Sequence, residues 1–200
     1  MHNQENRSEI RSRIREARRR VSEATRSRWS ASISRNICET ALFRSRQRVA
    51  GFLAFDGEAD PMGLMKQSCE LGKQVFVPII VGKGVPLKFA EWSPTVRMKK
   101  NRFGILEPNV DASKWIEAQD LDFVITPLVA FDESCNRIGV GGGYYDRSFA
   151  FLNEAPSAKS RVALVGFAFE MQKVKEIKIK RWDVPLSGVA TESSYYTASS

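Results

Sequence analysis

The sequence predicts an α/β fold. The expected form is a three-layer α/β/α sandwich around a mostly parallel, Rossmann-like sheet, with N-terminal helices packed on it. Three observations carry this expectation. Short apolar runs of strand length alternate with amphipathic stretches of helical period. The runs are bounded by glycine, proline or polar residues. The 200 residues are 42% hydrophobic and 27% charged, a globular composition. That length suits one domain. We expect a helical segment at about 7–43, an α/β core at about 48–192 and a loose tail at 193–200.

The elements follow in order. Ile10, Ile14, Ala17 and Val21 recur at helical spacing, so a helix is expected over roughly 7–21. Ser22 caps a second helix with the stripe Trp29, Ile33, Ile37 and Ala41. Arg48–Phe55 is a near-continuous apolar run and reads as a buried strand. A helix from Asp60 to Leu71 stops at Gly72. Gln74–Ile80 is the next strand; Gly82 and Gly84 make a turn, and Pro86–Trp92 returns as a third strand. Residues 93–112 look irregular. Leu121–Pro127 and Arg161–Phe169 are further buried strands, with a helix from near Gly143 to Phe149–Phe151 between them. Val189–Thr191 is a short last strand.

Composition excludes several chemistries. The one histidine, His2, sits near the N-terminus, so Ser-His-Asp, Cys-His and His-ligated zinc sites are not expected. Cys38, Cys69 and Cys135 are far apart and read as reduced thiols in a cytoplasmic protein. No apolar run suits a bilayer span, and the charged N-terminus has no apolar core behind it to suggest a secretory signal. The net charge is +8, and residues 1–30 hold nine Arg against four Glu. Such a head attracts anions: nucleotide phosphates, a polycarboxylate or nucleic acid.

The informative stretch is Asn136-Arg137-Ile138-Gly139-Val140-Gly141-Gly142-Gly143-Tyr144-Tyr145-Asp146-Arg147. Its glycines let a ligand approach the main-chain amides. A helix starting near Gly143 would turn free N–H groups into the loop, with Arg137 and Arg147 bracketing it as forks suited to phosphate. The stretch is not a P-loop, and Tyr144 stands where a dinucleotide loop carries glycine. A plain flexible turn has the same composition. The position behind a buried strand, and the Tyr-Tyr-Asp-Arg that follows, favour a ligand site.

Together with Asp122-Phe-Val-Ile-Thr-Pro127-Leu-Val-Ala-Phe131-Asp132, this block resembles the signature of the 5-formyltetrahydrofolate cyclo-ligase family, also called 5,10-methenyltetrahydrofolate synthetases. The resemblance covers nearly the whole chain. Arg7-Ser-Glu-Ile10-Arg11 is similar to the family's N-terminal element. Phe52, Leu53, Glu58, Pro78 and Gly104-Ile-Leu-Glu107-Pro108 follow in family order. So do Gly166-Phe-Ala-Phe169, Gln172, Asp183-Val-Pro-Leu and Thr191-Glu192.

The resemblance implies an ATP- and Mg²⁺-dependent closure of 5-formyltetrahydrofolate, with γ-phosphoryl transfer to the formyl oxygen and attack by N10. Such chemistry rests on positioning and charge stabilisation and needs no histidine. By resemblance, ATP would be held by Arg7, Arg11, Arg137, Ile138, Gly139, Val140, Gly141, Gly142, Gly143, Tyr144 and Tyr145. Folate would meet Leu53, Glu58 and the loop from Val140 to Tyr144. Asp146 and Asp183 would hold Mg²⁺, and Arg137, Tyr144 and Asp146 would be catalytic. Arg15 and Arg18 are weaker candidates on a similar helix face. The expected partners are small molecules, with no nucleic acid or membrane, and the expected state is a monomer.

Four positions depart from the family pattern. Val140 stands where relatives often carry an aromatic or basic residue, and Arg7 replaces the usual lysine. Trp182 precedes Asp183 where histidine is frequent, and Ser187 replaces a frequent aspartate. Two other readings stand beside the enzyme: a nucleic-acid binder using the Arg-rich head, and a relative that binds folate without turnover.

Overall fold

A computed structural model describes residues 5–101, 104–154 and 162–198. His2, Arg161 at the start of one expected strand, and residues 199–200 lie outside the described residues.

Helix α1 (Arg7–Arg19) opens with a capping box: the Asn6 side chain accepts from the Ser8 and Glu9 N–H groups, and Glu9 returns to the Asn6 N–H at 2.9 Å. Its buried face is Ile10, Ile14 and Arg18, not the expected run through Ala17 and Val21. Ser22 caps α2 (Glu23–Cys38) by accepting from the Thr25 N–H. Ile33 and Ile37 bury as expected, while Ala41 begins a separate short helix, α3 (Ala41–Arg44).

Strand β1 (Arg48–Ala50) is shorter than its apolar run, because the chain turns at Asp56 (φ 51°) and Gly57 (φ 73°). Helix α4 (Met62–Glu70) stops before Gly72, whose φ of 74° ends it as expected. Next come β2 (Gln74–Ile79) and β3 (Lys88–Glu91), an antiparallel pair. The stretch read as irregular holds a small hairpin, β4 (Met98–Lys100) with β5 (Leu106–Pro108). Strand β6 (Phe123–Thr126) leads to a second hairpin, β7 (Ala130–Phe131) with β8 (Arg137–Ile138). Then follow α5 (Tyr144–Ser148), α6 (Phe151–Glu154), β9 (Ala163–Phe167), β10 (Gly188–Ala190) and β11 (Tyr195–Thr197).

The main sheet has the order β11-β10-β9-β6-β1-β2-β3, parallel from β10 to β2 and antiparallel at both margins. This bears out the α/β expectation. One face carries Val49, Phe123, Ile125 and Val165 against Ile33, Ile37 and Leu64 of α2 and α4. The other carries Ala50, Val124, Leu164 and Val189 against Phe131 and Phe149. Strands buried on both faces explain why their sequences read as continuous apolar runs.

The tail is a correction. Tyr195–Thr197 is paired with β10 rather than loose. Tyr195 packs on one side of the sheet and Tyr196 on the other, where its ring lies 5.4 Å from that of Phe131. Alternation through the sheet gives each ring a partly buried place against a different face of the core.

The topology positions a site. After β1 the parallel order runs one way to β2; after β6 it runs the other way to β9 and β10. At such a reversal the loops leaving the two strands separate and open a crevice at their carboxyl ends. Those loops hold Leu53 and Glu58 on the β1 side, and the glycine block on the β6 side.

Candidate active site

The glycine block is held out by the β7–β8 hairpin. Asp132 fixes that hairpin, accepting from Asn136 N and Nδ2 at 2.9 and 3.0 Å and from Ile177 N at 2.9 Å. Helix α1 covers it, packing Ile10 and Ile14 on Val129, Ala130 and Ile138. Its Arg7 and Arg11 thereby stand beside the loop.

Gly141 (φ 114°) and Gly143 (φ 63°) need glycine. A Cβ at Gly143 would also fall 2.8 Å from Arg147 Nη1. Helix α5, which starts here, has only five residues, so loop amides rather than a long macrodipole face the ligand space. A cleft of about 590 Å³ opens there, lined by Gly141–Gly143, Asp146, Arg147, Asn153 and Trp182. Val140 is half-exposed at the loop.

Arg11 Nε donates to the Gly139 carbonyl at 2.8 Å. Its burial, and then the like charge of Arg7, hold its guanidinium below the ordinary range. Arg7 pairs with Asp183 and donates to the Lys178 carbonyl at 2.7 Å. Burial pushes the Asp183 carboxyl up, but Arg7 and the Lys180 N–H outweigh it, so the group sits below the usual carboxylate range. Arg147 donates to the Gly142 carbonyl and lies over the Tyr144 ring at 5.2 Å.

Arg137 points inward instead of toward the loop. It is buried, donates to the Val184 carbonyl, and pairs with Asp146 Oδ1 at 2.7 Å. Burial lowers its guanidinium below the ordinary range. A strand residue facing the core must bring its charge partner with it, and here that partner is Asp146. Arg137 therefore positions Asp146 rather than bracketing phosphate as expected. Among the described residues the Asp146 carboxylate accepts from Arg137 and from the Val184 N–H, both at Oδ1, and the residue lines the cleft. Ile138 also departs from expectation: its side chain is core beneath α1.

On the β1 side, Leu53 is half-buried and Glu58 is buried. Glu58 lines a second cavity of about 460 Å³ together with Ser30, Ser34, Phe55, Asp56 and Gly63. Its Oε2 accepts from the Phe55 N–H at 3.3 Å, and its Oε1 has no hydrogen-bond partner among the described residues. Burial pushes its carboxyl up to about 7. Tyr145 turns its hydroxyl into the interior, where the group is buried without a partner; burial and then the charge of Glu58 raise it. Tyr145 thus faces the β1 side, not the cleft where a nucleotide was expected.

The structure brings Arg7, Arg11, Gly139–Tyr144, Asp146 and Asp183 to one rim, and Leu53, Glu58 and the Tyr145 hydroxyl to the other. Sequence reasoning underrated Arg18 and passed over Asp56. Asp56 accepts from Arg15 at 2.8 Å and from Arg19, and its backbone carbonyl takes two bonds from Arg18. The signal for Arg18 was its spacing: it continues Ile10 and Ile14 at intervals of four. The three cysteines are free, as expected. Among the described residues no three His, Cys, Asp or Glu gather as a metal cluster, and no helix is long and apolar enough to cross a membrane.

Residues 3–192 match the family model described as the 5-formyltetrahydrofolate cyclo-ligase family. A 5-formyltetrahydrofolate cyclo-ligase of Escherichia coli is 38% identical over 149 residues, covering 74% of this chain and 79% of the relative. One of Haemophilus influenzae is 32% identical over 186 residues, covering 92% and 96%. The solution structure of Aquifex aeolicus 5,10-methenyltetrahydrofolate synthetase superposes with a TM-score of 0.80 at 27% identity, covering 97% of this chain and 93% of that one.

Proposed function

This chain belongs to the 5-formyltetrahydrofolate cyclo-ligase family, and on that premise we propose that it closes 5-formyltetrahydrofolate to 5,10-methenyltetrahydrofolate at the expense of ATP. The observation that carries this is the convergence of two unlike rims at the strand-order reversal: a cationic glycine loop after β6 and a buried carboxylate after β1.

A formyl oxygen is a poor leaving group. Transfer of the γ-phosphoryl group to it breaks the bond to ADP and forms an iminium phosphate. N10 then attacks the formyl carbon, the C–O bond breaks, phosphate departs, and N10 gives up its proton. The protein's part is to align the two substrates and stabilise charge. Loop amides and the free N–H groups of Arg11 receive phosphate oxygens, and Arg147 completes that wall. Tyr144, its ring packed under Arg147, shapes the wall between phosphate and folate. Glu58 accepts hydrogen bonds from the amino and ring N–H groups of the pterin, with Leu53 against its apolar face.

Asp146 and Asp183 supply oxygen donors only, which suits a hard ion such as Mg²⁺. Bound there with the triphosphate, that ion would neutralise phosphate charge. Asp183 is engaged by Arg7 and the Lys180 N–H, so its share in holding the ion requires Arg7 to turn toward phosphate.

The Arg-rich head offers little support to the nucleic-acid reading. Arg7, Arg13, Arg15, Arg19 and Arg20 pair with carboxylates within the chain, and Arg11, Arg18 and Arg26 donate to main-chain carbonyls. The test is direct. Purified chain with 5-formyltetrahydrofolate and Mg-ATP is expected to generate methenyl absorbance in the near ultraviolet. Folded protein without turnover would overturn the reading, and tight folate binding without turnover would replace it with a non-catalytic binder.

A further inference from the structure

The reading of Glu58 as the pterin's partner leaves one buried cation unexplained. Arg18 is fully buried on the apolar stripe of α1. Its Nε and Nη2 donate to the Asp56 carbonyl at 3.2 and 3.0 Å, and Nη2 lies 3.7 Å from Asp56 Oδ2. Its remaining arm, Nη1, points to Glu58 Oε1 at 3.9 Å. Neither of those two atoms has a hydrogen-bond partner among the described residues. For stability alone this is a costly arrangement, since an apolar side chain on that stripe would avoid burying the charge.

The geometry suggests what the cost secures. Asp56 and Gly57 form a corner with positive φ at both residues, and Glu58 follows immediately. A guanidinium is a rigid planar fork. With two N–H groups fixed on the Asp56 carbonyl, the direction of the third is set. That direction is toward the Glu58 carboxylate.

We infer that Arg18 is a positioning residue for substrate recognition: it locks the Asp56–Glu58 corner to α1, turns the Glu58 carboxyl to the pterin and offsets part of the cost of burying its charge. This rests on the reading of Glu58 given above. The groups that face Glu58 are Arg18 and Arg15 of α1, Asp56 of its own corner and Tyr145 of α5. Arg15 is tied to Asp56 Oδ2, and Tyr145 is held neutral by burial. Burial is the largest influence on the Glu58 carboxyl and raises it; Arg18 is the largest influence that lowers it.

The test compares the full-length wild type with Arg18→Met and Arg18→Lys. Carboxyl ¹³C NMR reads the titration of Glu58, and equilibrium binding reads affinity for 5-formyltetrahydrofolate and for ATP separately. In Arg18→Met the Glu58 midpoint should rise by about one pH unit and folate binding at pH 7 should weaken about fivefold, with ATP binding unchanged. Lysine keeps the charge but not the fork, so Arg18→Lys should show about half that shift. An unmoved Glu58 midpoint in a folded variant overturns the inference. So does an equal loss of affinity for both ligands, which is what a merely structural residue would give. If Arg18→Met does not fold, Arg18→Lys decides on the same readouts. A wild type that binds no folate would overturn the functional reading itself, and the NMR midpoint would still show whether Arg18 governs Glu58.

Discussion

On the proposed reading, the β6 side of the crevice would recognise its ligand through main-chain amides on glycines, with Arg7, Arg11 and Arg147 around them and the carboxylates Asp183 and Asp146 already paired to Arg7 and buried Arg137. On the β1 side the recognising groups would be side chains sunk in the interior, with Glu58 Oε1, Arg18 Nη1 and the Tyr145 hydroxyl left without hydrogen-bond partners among the described residues. The difference fits the ligands proposed for the two sides. A triphosphate is strongly hydrated and carries several charges, so it is met by amides and cations that water also reaches. A pterin is small, flat and weakly charged, so its discrimination needs hydrogen bonds made out of water, where an unmatched group is costly. The solvated side chains of the first rim should therefore tolerate substitution best, and groups tied to a buried charge on either side should tolerate it least.

Three substitutions would break or sharpen that contrast. The largest effect is expected where the open rim depends on a buried charge. Asp146→Ala leaves Arg137 unpaired in the interior, and should lower unfolding free energy by about 3 kcal/mol as well as abolish ATP-dependent turnover. Denaturant titration checks this, and a variant as stable as wild type would show that Arg137 does not need Asp146.

Glu58→Gln should act in the opposite sense on stability. The folded carboxyl titrates at about 7, against an ordinary 4.5. Between those values the folded chain holds a proton that the unfolded chain has lost, so the stability supplied by Glu58 falls as pH rises through that window. The neutral amide removes this loss. The variant should be more stable than wild type by about 3 kcal/mol at pH 8, the gain fading to nearly nothing at pH 4.5, while folate affinity drops. Melting curves at the two pH values decide it; a pH-independent difference would mean that burial does not raise the Glu58 carboxyl.

The smallest effect belongs to the solvated rim. Arg11→Ala should raise the KM for ATP about tenfold and that for folate less than twofold, the scale of one charge-assisted contact. The reverse ranking in steady-state kinetics would move Arg11 to the other substrate.

Much of the site was legible before the fold. Glycines at Gly141 and Gly143 announce backbone geometry that other residues resist, and apolar runs such as Phe123–Thr126 announce strands buried on both faces. What escaped notice had a common cause: side-chain direction. Arg137 looks outward in sequence because it adjoins the loop, but strand alternation turns it into the core. Arg18 reads as one more charge in an Arg-rich helix, although its spacing from Ile14 places it on the buried face. The small hairpins β4–β5 and β7–β8, and the strand β11, are two or three residues per strand. Elements that short carry no period of their own, and their pairing is set by neighbours distant in the chain.

The two margins of the main sheet bear on edge-to-edge pairing with another chain. Each is a brief antiparallel strand, β11 with three residues and β3 with four, and β3 carries Lys88 and Glu91 at its ends. A long, flat outer strand would offer its open row of amides as a template for another molecule's backbone. Strands this short make a poor template, and β3 is further closed by its charged ends and by the main-chain hydrogen bonds that Phe89 exchanges with Ile116, so edge-to-edge growth into aggregates is discouraged at the two places where a parallel sheet would otherwise invite it.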